Sequence, residues 1–308
     1  MLQLAKIITE KEPLDFITDN LKAICESQPC VESVRHKYFK DNLEFCSWIT
    51  SKEFTLDTVM KYRNEFLHKR TDIGAGTKNG KLAALRMLMK ELYLRKFIDV
   101  EISYKLRNFK TESGHKKDGL NISEIQSIQT YIESIKETEC FNKYSRVNAM
   151  FYLLAFQGLR QAEICNVSIE DFNAKDASLK IQGKGMSEKT RIDLHPDTVK
   201  AIAGYLETYN LKSGFLFTSE KGKTIGERMS ESGLRKYVKT IFGKLDIENC
   251  THGFRHFFVT TLLEATNGNI GIVKKFSRHK STVALEMYDD RKIKKSNNQV
   301  YYSAFKTF

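Results

Sequence analysis

Residues 251–288 read THGFRHFFVTTLLEATNGNIGIVKKFSRHKSTVALEMY, and the rest of the chain is interpreted outward from them. Apolar residues at helical spacing predict helices over 252–265, 269–277 and 281–288. His252 and Arg255 stand three residues apart at the start of the first helix, which puts both side chains on one face. His279 follows Arg255 by 24 residues, and Tyr288 comes nine later. Further toward the N-terminus, Lys184 occupies the tip of Gly183-Lys184-Gly185, and Arg160 follows Gly158-Leu159 with Glu163 three residues on. Singly these residues have ordinary explanations: a surface ion pair, a solvated hairpin lysine, one tyrosine among 13. Two arginines, two histidines, a lysine and a late tyrosine in this order and spacing form a joint pattern that chance does not readily supply.

The segments around them predict a mainly α protein in two domains. Residues 1–103 read as an N-terminal helical bundle, with helices over 13–28, 31–50 and 54–69. A further stripe, Leu82, Leu85, Leu88 and Leu92, follows the turn-rich stretch 74–80. Residues 104–120 lose periodicity and mix Lys, Arg, Gly and Ser, as a basic interdomain linker would. A second domain is expected over 121–290. It would be mostly α, with helices at 123–136, 146–157, 197–209 and 230–243 beside those of the deciding stretch. Over 177–195 the period changes to two, with Leu179, Ile181, Ile192 and Leu194 flanking the glycines, which predicts a small antiparallel β-hairpin. Residues 291–308 form a tail whose Val300, Tyr301, Phe305 and Phe308 would be costly to leave exposed.

Charge and cysteine usage bound the function. The 308 residues carry a formal net charge of +12. It is unevenly spread: −3 over 1–60, +9 over 61–117 and +6 over the remainder. Closely spaced cations suit a phosphate-contacting surface, because they release counterions from nucleic acid, although a solvated helix face would read alike. Hydrophobic residues make up 41% of the chain, which excludes intrinsic disorder. No apolar run approaches the roughly 20 residues of a membrane span, and residues 1–12 do not read as a signal peptide. Six cysteines without a Cys-x-x-Cys pair fit a reducing compartment, so a cytoplasmic, nucleoid-associated location is expected. Neither a P-loop nor an acidic metal cluster is present in the sequence.

With these residues in view, the chain resembles the tyrosine site-specific recombinases, or phage integrase family. Residues 251–288 carry the likeness almost end to end, and Gly158-Leu159-Arg160-Gln161-Ala162-Glu163 supplies the other half. Residues 1–103 match only loosely, as the SAM-like core-binding domain. The layout is that of two-domain Xer-like or Cre-like members, without a further N-terminal arm-binding domain.

The resemblance implies an enzyme that cuts and rejoins duplex DNA through a 3′-phosphotyrosyl intermediate and a Holliday junction. It would act with no cofactor and no metal, in integration or excision of a mobile element or in Xer-like dimer resolution. Arg160 and Arg255 would clamp the scissile phosphate, His252 and His279 would add hydrogen bonds, and Glu163 would hold Arg160. Tyr288 would be the nucleophile and Lys184 the general acid. An unperturbed tyrosine has a pKa of about 10, so the cationic pocket would have to help it ionise. The implied partners are double-stranded DNA with inverted-repeat sites, three further copies forming a homotetramer on DNA, and a second recombinase or accessory protein. The tail would dock on a neighbouring protomer or on its own domain. Type IB topoisomerase-like relaxation and a catalytically silent DNA-binding regulator are the alternatives. The chain departs from the family where Leu-Gly usually precedes the second histidine. Ser277 and Arg278 stand there and predict an altered local turn. His256 is assigned to core packing or to a hydrogen bond behind the active pair.

Overall fold

A computed structural model describes residues 13–111, 119–138, 141–183, 186–220, 224–279, 281–286 and 288. The chain divides into two compact units, Met1–Ser113 and Gly114–Phe308.

In the first unit, helices α1 (Pro13–Glu26), α2 (Glu32–Ile49), α3 (Leu56–Lys61) and α4 (Ala75–Leu94) bury one stripe each. Ile17, Leu21 and Ile24 of α1 meet Phe45 and Ile49 of α2 and Leu82, Leu85, Leu88 and Leu92 of α4 in a single core. Thr55 caps α3 by accepting the Thr58 N–H at 3.2 Å, a partner that an orphan helix-start donor needs. A π-helical turn, Tyr62–Leu67, prolongs α3 and sets Tyr62 edge-on to Phe45, with ring centroids 5.0 Å apart. The turn expected over 74–80 is helix from Ala75 onward. A Cβ at Gly80 would lie 3.0 Å from Lys37 Nζ, the far end of a flexible side chain that can give way.

The expected linker is anchored for its first half. Ile102 and Leu106 enter the first core. The Asn79 amide donates to the Phe109 carbonyl at 3.0 Å and accepts the Phe109 N–H at 2.7 Å. Arg86 donates to the Leu106 carbonyl at 2.5 Å. Loss of periodicity therefore marks an irregular strap, because these backbone groups find side-chain partners in place of helical ones.

The second unit is built around α6 (Phe141–Ala155). Its Met150, Phe151, Leu153 and Leu154 are buried against α5 (Ile122–Thr138), α8 (Pro196–Thr208) and α9 (Glu231–Lys244). Pro196 opens α8, where a missing N–H costs nothing. A short α7 (Gln161–Cys165) follows α6. The sheet has three antiparallel strands in the order β1 (Phe172–Asn173), β2 (Ser178–Gln182), β3 (Lys189–Asp193). The hairpin register pairs Leu179 with Ile192 and Ile181 with Thr190, so Leu179 and Ile181 face the core while Lys180 faces out. The added strand, β1, is two residues long, too short for alternation to reveal it.

The deciding stretch becomes α10 (His252–Ala265), α11 (Ile270–Ser277) and α12 (Val283–Glu286). Asn269 caps α11 by accepting the Ile272 N–H at 3.2 Å. Val259, Leu263, Val273, Leu285 and Tyr288 close a small core of their own. Lys184 and the tail 291–308 lie outside the described residues.

Candidate active site

Gly158 sets the first wall of the site. Its φ is +55°, and a Cβ there would fall 2.4 Å from the ring of Phe258, so no side chain fits. The turn delivers Arg160 to the start of α7 with extended backbone (φ −75°, ψ 155°). Glu163, three residues on, accepts the Arg160 N–H at 2.8 Å and the Arg160 Nη1–H at 2.7 Å. This carboxylate therefore caps the helix and orients the guanidinium together. The Glu163 side chain is 2% exposed and that of Arg160 32%, so the carboxylate lies behind the arginine.

The second wall is α10. His252 stands exposed at its first turn, and Arg255, one turn on, is buried. Arg255 Nη1 donates to the Gly158 carbonyl at 2.7 Å and Nη2 to the Ser277 carbonyl at 2.5 Å. Its Nε has no hydrogen-bond partner among the described residues. Nη2 also lies 3.4 Å from His279 Nε2, and His279 Nδ1 lies 2.8 Å from Ser277 Oγ. If Nε2 accepts from Arg255, the ring proton sits on Nδ1 and donates to Ser277. Tyr288 closes the pocket, its ring centroid 6.0 Å from that of His279 and 4.7 Å from that of His256. His256 is wedged between that ring and Gly119, where a Cβ would come 2.2 Å from Nδ1.

The α11 end differs from the expected altered turn. Arg278 adopts φ 58°, ψ 35°, the left-handed conformation that suits glycine. For a residue with a Cβ this costs about 1–2 kcal/mol. Offsetting contacts come from its guanidinium, which donates to the Phe276 carbonyl at 2.8 Å and to the carbonyls of Gln157 and Gly158 at 3.3 Å. It also reaches Glu163 Oε2 at 3.4 Å. So the site holds three arginines, and the bonds of Arg160 and Arg278 converge on one buried carboxylate. Sequence reasoning missed the third, because its partners lie 115 to 121 residues away.

The electrostatics follow from this crowding. Burial pushes the Glu163 carboxyl up, but Arg278, the Arg160 N–H and the Arg160 guanidinium outweigh it and hold the group below its ordinary range. Burial, reinforced by Arg160 and Arg278, brings Arg255 down to about 10, so it stays charged at neutral pH. Burial and the three arginines lower His279 to about 4, which leaves it neutral. The Tyr288 hydroxyl is pushed up by burial, and Arg255 and Arg160 pull it back only in part. In the DNA-free chain the cations thus act in the expected direction without overcoming desolvation.

Comparison with known proteins gives the family. The phage integrase family matches residues 120–294, more than half of the sequence, and the chain belongs to that family. A tyrosine recombinase of Synechocystis sp. is 30% identical over 76% of this chain and 74% of its own. The crystal structure of XerH bound to palindromic difH substrate, a post-cleavage complex, covers 96% of this chain and 99% of its own at a TM-score of 0.69 and 20% identity. A lambda integrase tetramer bound to a Holliday junction covers 95% of this chain and 80% of its own, with a TM-score of 0.66 and 14% identity. The protein is a tyrosine recombinase, an enzyme of site-specific DNA recombination. No helix among the described residues is long and apolar enough to cross a membrane.

Proposed function

We propose that the chain cleaves and rejoins duplex DNA with Tyr288 as nucleophile. The observation that carries this reading is the convergence of Arg160, Arg255, His279 and Tyr288 on one pocket from three separate segments. A phosphodiester under attack gains negative charge on its non-bridging oxygens, and paired guanidinium donors are matched to those oxygens. Arg160 and Arg255 serve as the clamp, with His252 and His279 as hydrogen-bonding groups beside it. The Tyr288 oxygen forms a bond to phosphorus as the P–O5′ bond breaks. The phenolic proton passes to water, and the departing 5′-oxygen takes a proton from Lys184, between β2 and β3 in the sequence. The 3′-phosphotyrosyl bond conserves the energy of the bond it replaces, so religation by a 5′-hydroxyl needs neither ATP nor metal.

Four protomers on two inverted-repeat sites, exchanging strands through a Holliday junction, complete the proposal. A lambda integrase relative is a tetramer on such a junction, which supports it. The role is integration or excision of a mobile element, or Xer-like dimer resolution. The test uses DNA flanking the gene, nicked beside the cleavage position so that the product cannot be resealed. Wild type should yield a covalent protein–DNA adduct on a denaturing gel, and Tyr288→Phe none. An adduct that survives Tyr288→Phe removes Tyr288 from its role.

A further inference from the structure

Among the described residues of the pocket, Arg278 is a charged side chain that the reaction just described leaves without a task. It holds a backbone conformation that glycine would take without strain, and its guanidinium points back into the catalytic wall. Its Nη1 and Nη2 donate to backbone carbonyls and to the Glu163 carboxylate, while its buried Nε has no partner among the described residues. Two of those partners are shared with the clamp. The Gly158 carbonyl accepts from Arg255 at 2.7 Å and from Arg278 at 3.3 Å. The Glu163 carboxylate accepts from Arg160 at 2.7 Å through Oε1 and faces Arg278 at 3.4 Å through Oε2.

We propose that Arg278 is a positioning residue for strand cleavage, which ties the 157–158 turn to the end of α11 and shares Glu163 with Arg160. This rests on the cleavage reading above. Its logic is electrostatic and steric together. A buried carboxylate with a single arginine partner would draw that guanidinium inward. With Arg278 taking part of its charge, Glu163 orients Arg160 while leaving the clamp net positive. The tie on Gly158 also fixes the carbonyl against which Arg255 rests, so both halves of the clamp are registered by one side chain. A residue of this kind raises the rate of the chemical step and leaves DNA affinity alone, because its Nη donors hold the wall of the site together.

The test compares wild type, Arg278→Gly and Arg278→Lys in the full chain. Arg278→Gly keeps the left-handed turn without a Cβ, so its melting temperature should not fall below that of wild type by more than a degree or two. On the nicked duplex its single-turnover cleavage should slow by about 10- to 100-fold, the scale of a slightly misplaced reacting group. Its DNA dissociation constant should stay within about twofold of wild type, with an unchanged salt slope. Arg278→Lys, which keeps the charge but not the planar fork, should fall between. Cleavage by Arg278→Gly at the wild-type rate would overturn the proposal. So would a salt slope reduced by about one, which would make Arg278 a direct phosphate contact. A DNA-free arm separates this proposal from the reading it rests on: removing a nearby positive charge should raise the pH at which His279 titrates. A wild-type chain that cleaves none of the duplexes, with the His279 shift present, would fault the cleavage reading and uphold the tie. A His279 titration unmoved in Arg278→Gly would break the tie itself.

Discussion

His279 reports the crowding of cations in the candidate site. Three guanidiniums and burial keep its imidazole neutral, with a pKa of about 4 against an ordinary 6.5. Between those two values the unfolded chain binds a proton that the folded chain refuses. The folded state therefore loses stability as pH falls from about 6.5 toward 4, and this contribution is fully retained above 6.5. NMR titration of His279 should give a midpoint near 4 in the free protein and a higher one once DNA phosphate enters. Phosphate supplies the negative charge that the arginines lack, and a midpoint near 6.5 without DNA would contradict the crowding. Glu163 admits a similar test. Glu163→Gln keeps the cap but removes the charge that orients Arg160 and Arg278. Cleavage should fall by about tenfold or more while the helix stays capped, as circular dichroism and single-turnover kinetics would show. At this scale the sequence picks out Arg160, Glu163, His252, Arg255, His279 and Tyr288 as candidates, because their spacing is itself the signal. Arg278 is not among them. Its place where the family usually has glycine could be read, but its reach across 121 residues to Gln157 leaves no local trace.

Among the elements, the glycine turn before α7 and the β2–β3 hairpin carry the sharpest consequences. Gly158→Ala would have to fit a Cβ against Phe258 at φ +55°. The strain of that backbone and the overpacking each cost about 1–3 kcal/mol, so the melting temperature should drop by several degrees. A melting temperature equal to wild type would mean the turn is not held as described. For Lys184, between β2 and β3 in the sequence, the proposed general-acid role predicts that Lys184→Ala slows cleavage of ordinary DNA strongly. A substrate with sulfur in place of the leaving 5′-oxygen should restore the rate, since a thiolate departs without a proton. Equal slowing on both substrates would assign Lys184 to binding. Most helices could be read from apolar periodicity, since their buried stripes are regular, as in Leu82, Leu85, Leu88 and Leu92. The start of α4 could not, because Gly76 and Gly80 in its first turns read like a loop. The strap over 102–110 escaped for a related reason: Asn79, Arg63 and Arg86 hold it one carbonyl or N–H at a time, and such bonds have no period.

Over the whole chain, charge and chemistry are divided. The basic residues cluster between 61 and 117, while the candidate site lies wholly in the second unit. Lys105, Arg107 and Lys110 are exposed on the strap and suit phosphate contacts. Replacing all three by Ala should weaken binding to any duplex about equally and lower the salt slope by about 0.9 for each one that sits on a phosphate. Anisotropy titrations across a salt series would measure this, and an unchanged slope would place the DNA surface elsewhere. The central claim is that one tyrosine makes the covalent bond, and the chain's own cleavage sites allow that to be read directly. Trypsin separates residues 281–291, whose single tyrosine is Tyr288, from residues 296–306, which hold Tyr301 and Tyr302. Mass spectrometry of the trapped adduct after trypsin and nuclease digestion should find the nucleotide remnant on the 281–291 peptide. A remnant on 296–306 would contradict the account, because the arginine pocket described here would then not surround the nucleophile.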